Sequence, residues 1–228
     1  MAQPSDVALR VVNARVTEPA SVAQVLQPLF QQEINAGRFN LSVKLIAPQN
    51  PSVAQSDFSA ALVQARGDPS GAFYPDPRLP SYMQFARRLE SCAGHSHCYE
   101  LNVEQDLRLY LRRDTAPPGE CSYNMLAIAG RATVYLNLPP GAMMASQVTG
   151  TISVFGYLER NLAEKTTFVL PNGTSKSLAA ALLEYGAEPT DDLNQDGSPE
   201  SWRFQLEGAA TGVEMPFVQA DPNRDPCN

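Results

Sequence analysis

Hydrophobic side chains stand at every second position over much of this chain, with polar side chains between them. The clearest case is 39–45, where the alternating residues are Phe39, Leu41, Val43 and Leu45 against Asn40, Ser42 and Lys44. Because successive side chains of a β-strand point to opposite faces of a sheet, this alternation predicts a strand with one buried face. The same kind of pattern predicts further strands at 7–16, 58–66, 101–112, 123–128, 132–138, 148–157 and 202–206.

Two segments have the helical spacing of three or four residues instead. The first begins at Ser21, which is a good N-cap, and ends at 35–37; its apolar side chains are Val22, Val25, Leu26, Leu29, Phe30 and Ile34. Pro28 lies inside this segment and has no backbone N–H to donate, so we expect a kink or a separate first turn there. The second runs from a cap at Thr174 or Ser175 through Leu178, Ala181, Leu182 and Tyr185 to Gly186. Both segments predict short amphipathic helices.

Regular alternation is absent between 67 and 99, where Pro, Gly, Ser and Asp mark successive turns. A stretch of this length without a pattern predicts a long loop with a function of its own. Within it, residues 83–90 could form one or two helical turns. The tail 219–228 lacks side chains suited to packing. We therefore predict one mainly β domain over 1–228, an antiparallel β-sandwich or barrel with two short amphipathic helices and one long loop.

The segment 192–200 carries oxygen-bearing side chains at alternate positions, followed directly by Gly197. Ca²⁺ takes about six to eight oxygen ligands, and alternate side chains of a tightly curled loop can converge on one point. The predicted calcium ligands are Asp192, Asn194, Asp196, the carbonyl oxygen of Ser198 and Glu200. Asp191, Glu188 or water could supply a missing ligand. The alternative is a turn rich in Asp and Asn that binds no metal.

Arg203 occupies the twelfth position of this loop, where an EF-hand has a bidentate glutamate, so a sensor of that type is excluded. The D-x-N-x-D-G run at 192–197 and the aromatic strand that begins at Trp202 resemble the calcium loops of thrombospondin type-3-like repeats and of bacterial surface lipoproteins. In those families D-x-D-x-D-G-x-x-D leads into a strand, and Asn194 and Glu200 here replace two of the aspartates. The resemblance implies a structural Ca²⁺ ion in an exported surface protein and transfers no activity.

Four cysteines fit disulfides in an oxidising compartment, although four reduced thiols of a cytosolic protein would give the same count. They lie in segments rich in Gly, Pro, Ser and Asn, and on that ground we favour export. Of the three connectivities that four cysteines allow, we expect Cys92 with Cys98, which closes a short local loop. The remaining pair, Cys121 with Cys227, would tether the tail.

The two histidines lie between the first two cysteines. Imidazole and thiolate groups are ligands for zinc and copper, so His95 and His97 form an alternative metal site. The C-x₂-H-x-H-C spacing matches no usual structural zinc site, and oxidation would remove the sulfur ligands. We therefore favour a disulfide-closed surface loop with two exposed histidines over a metal site.

The formal net charge of −7 and the lack of a Lys/Arg cluster in the sequence argue against a nucleic-acid partner. No apolar run reaches the ~18–20 residues that span a bilayer, and the opening residues 1–5 do not have the form of a signal peptide. They are typical of an expression start placed on a mature protein, which is compatible with removal of a signal segment or lipid anchor.

Motifs for a nucleophile elbow, a P-loop or a dinucleotide-binding turn are missing from the sequence. We therefore expect a non-enzymatic binding or structural protein, exported to the periplasm, the outer surface or the medium and stabilised by calcium and disulfides. Its partner is an unidentified protein or glycan. One alternative is a metal-dependent enzyme or metal carrier at His95 and His97. Another is a carbohydrate-binding module that uses Phe73, Tyr74 and Tyr82 as stacking surfaces.

Overall fold

The computed structural model of the chain describes residues 7–46, 57–67, 73–92, 94, 97–113, 116, 118–137, 147–169, 173–216 and 221–227. Within these ranges the strands are β1 Val7–Glu18, β2 Leu41–Ile46, β3 Asp57–Gly67, β4 Phe73–Pro75, β5 Ser81–Arg88, β6 His97–Arg112, β7 Tyr123–Asn137, β8 Thr149–Glu159, β9 Thr167–Val169, β10 Ser175–Ser177 and β11 Ser201–Glu214. The helices are α1 Ala23–Asn35, α2 Arg160–Lys165 and α3 Leu178–Glu184. The predicted mainly β class is confirmed.

The large sheet is antiparallel and strongly curled. Its strand order is β2-β1-β11-β8-β7-β6-β5-β3-β4, and β2 also pairs with β3, so the hydrogen-bonded pairings return to their starting point. Two links in this ring are short, because β1 with β2 and β5 with β6 share only three residue pairs each. The result is a half-open barrel. The short strands β9 and β10 form a separate two-stranded sheet.

Every strand of the ring contributes to one hydrophobic core, and α1 packs into the same core. The ring of Phe30 on α1 lies about 6 Å from three other aromatic rings: Phe39, Phe168 and Phe204. On β8 the buried and partly exposed positions alternate, with Ile152, Val154 and Leu158 buried. The buried Trp202 of β11 donates its indole N–H to the carbonyl oxygen of Ala187, which attaches the start of the connection after α3 to the beginning of β11.

The first predicted helix is confirmed, with a different start. Residues Ala20–Val22 form a 3₁₀ turn, so Ser21 lies inside this turn rather than capping α1, and Pro28 lies within the continuous helix that follows. The helix ends as predicted, because Gly37 has a φ of +68°, a conformation that glycine adopts without strain. The second predicted helix corresponds to α3. Its cap is Ser177, whose Oγ accepts the Ala180 N–H at 3.1 Å, because 175–177 are extended as β10.

The segment 67–99, which the sequence predicts to be an irregular loop, contains β4, β5 and the start of β6. Residues Asp57–Val63 of β3 pair with Arg87–Ser81 of β5, so the helical turns expected at 83–90 are wrong. Proline interrupts the sequence before β5 at Pro75, Pro77 and Pro80 and hides the alternation that follows. The helix α2 has only six residues and was not predicted.

Candidate metal site

The loop that joins α3 to β11 is closed at its base by a small backbone ladder. Asp191 and Ser201 form an antiparallel bridge, in which the Ser201 N–H donates to Asp191 O at 3.0 Å and the Asp191 N–H donates to Ser201 O at 3.0 Å. Ser201 and the adjacent Trp202 are buried. The loop 192–200 therefore projects from a fixed base.

Three carboxylates of this loop converge. One oxygen from each of Asp192, Asp196 and Glu200 lies within 4.8 Å of the others. Ligand oxygens bound to one Ca²⁺ at about 2.3–2.6 Å are at most about 5 Å apart, so the triad has the dimensions of one cation site. The predicted ligands Asp192, Asp196 and Glu200 are thus brought together from three positions of the loop.

Backbone N–H groups hold all three of these carboxylates in place, with Asp196 Oδ1 accepting from the Ser198 N–H. Asp192 accepts from the Gly197 N–H at 2.7 Å and from the Asp196 N–H at 3.2 Å. Glu200 Oε1 accepts from the Leu193 N–H at 2.9 Å, which connects the end of the loop to its beginning. The loop is therefore shaped by its own carboxylates, and these bonds occupy only part of their acceptor capacity.

Two left-handed residues make the sharp curl. Gly197 has a φ of +91°, as its place after the third ligand predicts, and Gln195 has a φ of +61°, which the sequence did not reveal. A side chain with a Cβ rarely adopts this conformation, so the curl at Gln195 is held by its neighbours. The Asp196 N–H beside it donates to Asn194 Oδ1 at 2.9 Å.

One carboxylate oxygen of the triad has unused acceptor capacity. Glu200 Oε2 is buried and has no hydrogen-bond partner among the described residues. A buried carboxylate oxygen without a donor carries a desolvation cost, which a bound cation would offset. Charge, spacing and this oxygen together suit the triad to a hard cation.

The ligand roles of Asn194 and of the Ser198 carbonyl oxygen stay predictions, and both residues contact Asp196. Asn194 Nδ2 donates to Asp196 Oδ2 at 3.1 Å, and the Ser198 N–H donates to Asp196 Oδ1 at 2.9 Å. Arg203, at the twelfth position, contacts Asp191 Oδ1 at 3.3 Å. Asp191 is therefore paired with a cation of the chain and lies outside the triad.

Both predicted disulfides are present. Cys92 and Cys98 are bonded with their Cα atoms 5.4 Å apart, and Cys121 and Cys227 with theirs 4.9 Å apart. Asp221 of the tail also forms an antiparallel bridge with Ser81. The tail is thus attached to the sheet at two points.

The alternative histidine site stays a prediction. His95 lies outside the described residues, as does the side chain of His97. The backbone of His97 begins β6 and pairs with Leu136 of β7.

The three aromatic residues predicted as a stacking surface do not share one. Tyr82 is buried, and its hydroxyl accepts the Arg108 N–H at 3.0 Å, so it offers no face to a ligand. The Arg10 guanidinium lies 3.9 Å above the Phe73 ring. Tyr74 is 42% exposed and lines a cleft of about 280 Å³, but as the neighbour of Phe73 in β4 it points to the other face.

A buried polar cluster was not found from the sequence. The Tyr123 hydroxyl donates to Asp76 Oδ2 at 2.6 Å, and Arg78 Nε lies 3.2 Å from Asp76 Oδ1. Burial opposes ionisation of Asp76, but the hydrogen bonds from Arg78 and Tyr123 outweigh it, and the pKa of Asp76 is lowered. Burial, together with the bond to Asp76, raises the pKa of Tyr123. In the sequence, Asp76 stands between two prolines, and this pattern indicates only a turn.

Comparison with known proteins returned no matching family model, no similar curated protein and no similar solved structure. Among the described residues no helix combines the length and apolar character needed to cross a membrane. The site's own chemistry therefore carries the functional argument.

Proposed function

We propose that this chain is an exported or cell-surface binding or structural protein in which a bound Ca²⁺ stabilises the connection between α3 and β11. The observation that carries the proposal is the convergence of Asp192, Asp196 and Glu200 within 4.8 Å, with Glu200 Oε2 buried and unpaired. Carboxylate oxygens are the ligands that Ca²⁺ prefers, and an ion here would relieve the repulsion among three negative charges. The resemblance to thrombospondin type-3-like and lipoprotein loops supports the same role.

Two disulfides support an oxidising, exported environment for the chain. Calcium is abundant outside cells, and a loop of moderate affinity would be filled there. The calcium ion would act as a clamp at the joint where the helix α3 leads into the central strand β11. Its contribution is stability of the binding domain, and no step of chemistry is assigned to it.

The direct test compares the melting temperature in EDTA with that in millimolar calcium. A ligand at about a hundred times its Kd adds about 2.7 kcal/mol to the free energy of unfolding. For a domain of this size that corresponds to a rise of roughly 5–10 °C. Titration calorimetry should give one site.

Glu200→Gln is the most informative variant, because the amide keeps the shape and can still accept the Leu193 N–H through Oε1. It should abolish the calcium-dependent rise in melting temperature. Glu214→Gln, at the other end of β11, removes the same charge and should leave the rise intact. Equal melting temperatures of the wild type in EDTA and in calcium would refute the clamp. Stoichiometric zinc or copper that is lost in a His95→Ala, His97→Ala variant would favour the histidine site instead.

A further inference from the structure

The outer face of the sheet carries a group of aromatic and arginine side chains around the centre of β8. We call it the aromatic–arginine platform and define it by four residues: Phe155 and Tyr157 of β8, Arg131 of β7 and Arg203 of β11. Phe155 and Tyr157 alternate with the buried Val154 and Gly156 and are partly exposed, so they lie on the face away from the core. Neighbouring strands place the arginines beside them, since Arg131 pairs with Phe155 and Arg203 pairs with Tyr157.

The arginines are exposed, and their contacts within the chain occupy only part of their donor capacity. Their Cζ atoms lie 5.8 Å and 5.9 Å from the centre of the Phe155 ring, at the outer limit of a cation–π contact. The side chains of Arg131 and Arg203 are 56% and 53% exposed. Each guanidinium has five N–H donors, and the ion pairs with Glu100 at 3.9 Å and Asp191 at 3.3 Å use few of them.

Uncharged hydrogen-bonding side chains border the platform. The adjoining positions of the same face carry Thr133, Thr151, Ser153 and Gln205. Gln205 Nε2 lies 3.5 Å from Ser153 Oγ, so these groups form a nearly continuous polar row. Apart from Glu100 and Asp191, which pair with the two arginines, the acidic Glu207 lies one row away, opposite Arg15 of β1.

This combination fits a sugar that carries a carboxylate. An aromatic ring can stack against the C–H face of a pyranose, and an arginine fork binds a carboxylate with two parallel hydrogen bonds. Hydroxyl and amide side chains match the hydroxyl groups of the sugar, because both donate and accept. Because the protein as a whole has a net charge of −7, binding of an anionic ligand to this face would depend on the local positive charge of the two arginines.

We propose that the aromatic–arginine platform binds an acidic polysaccharide built from uronic acid units. The charge complementarity of Arg131 and Arg203 selects the carboxylates, while Phe155 and Tyr157 receive the ring faces. This goes beyond the calcium clamp and does not need the metal. It gives the binding protein proposed above a class of partner.

The test is native electrophoresis of the whole chain through gels that contain polygalacturonate, with EDTA present so that the calcium loop has no part in the result. We expect retardation by polygalacturonate, none by neutral dextran, and a decrease as salt rises because the exposed arginines are screened. Phe155→Leu and Arg131→Gln should each weaken the apparent affinity about tenfold, the effect of losing one stacking or charge-assisted contact.

Arg160→Gln is the matched control, because Arg160 on α2 is 51% exposed, carries the same charge and pairs with Glu164 of its own helix. Arg131→Lys should recover only part of the affinity, since lysine keeps the charge without the fork. Unchanged retardation of correctly folded Phe155→Leu and Arg131→Gln would overturn the proposal. So would equal retardation by dextran, absence of retardation of the wild type, or retardation by a single-stranded polynucleotide alone. A failed calcium titration would leave the polysaccharide result unaffected.

Discussion

At the scale of single residues, the buried Asp76 shows how a carboxylate is accommodated in the interior of this protein. Its carboxylate is matched by the Tyr123 hydroxyl at 2.6 Å and by the Arg78 guanidinium, whose Cζ also lies 4.9 Å from the Tyr123 ring. Each of the three groups compensates for the burial of another. The cluster fixes the turn after β4 to the start of β7.

The cluster predicts an acid-sensitive component of stability. The pKa of Asp76 is lower in the folded chain than the usual value near 3.9 in an unfolded chain, so the folded state prefers the carboxylate. That stability is present above about pH 4 and is lost as the pH falls through the folded pKa. Melting temperatures measured from pH 7 to pH 3 should therefore fall less steeply for Asp76→Asn than for the wild type. Parallel curves would contradict the assignment.

At the scale of elements, the loop 191–201 connects the short helix α3 to β11, a strand that pairs along most of its length with both β1 and β8. The convergence of its three carboxylates could be predicted because Asp192, Asp196 and Glu200 are close in sequence and follow the alternate spacing that a hard cation requires. The pairing of Arg203 with Asp191 could not, since it depends on how β11 emerges from the loop. Features that depend on residues close in sequence could thus be predicted, whereas contacts between distant residues could not.

Gly197 gives a prediction about this loop. With a φ of +91° and open space where a Cβ would lie, Gly197→Ala should cost about 1 kcal/mol from backbone strain alone. Straining the curl should also weaken calcium binding. Gly186→Ala is the control, because Gly186 has a φ of +77° and equally open surroundings outside the triad. Both variants should lose a similar amount of thermal stability in EDTA, and calorimetry should show reduced calcium affinity only for Gly197→Ala.

At the scale of the whole molecule, the curled sheet depends on contacts between distant parts of the chain. Alternation predicted most strands correctly, but the order of the strands and the pairing of β2 with both β1 and β3 have no local signature. The strand β5 was missed because prolines precede it, and α2 because six residues are too few to show a period. The aromatic–arginine platform also has no local signature in the sequence, since residues 131, 155 and 203 meet only across strands.

The two disulfides should differ in their effect on this assembly. The Cys121–Cys227 bond spans 106 residues and the Cys92–Cys98 bond spans 6. In the chain-entropy account the long bond contributes about 5 kcal/mol and the short one about 2 kcal/mol to the free energy of unfolding. Replacing Cys121 and Cys227 by serine should therefore lower the denaturation midpoint more than replacing Cys92 and Cys98. Denaturant titration of the two double variants measures the difference, and equal losses would contradict the loop-length account.

The unequal sequence separations of the two cysteine pairs also determine the order in which the disulfides can form during biosynthesis. In the export proposed above, the chain would enter an oxidising compartment from its N-terminal side, so that Cys92 and Cys98 arrive together and can close at once. Cys121 then arrives as a lone reactive thiol and has to wait until its partner, 106 positions further along the chain, has followed. Prompt closure of the first bond removes the two thiols with which Cys121 could be mispaired. The short disulfide adds less stability, but its early closure favours correct formation of the Cys121–Cys227 bond.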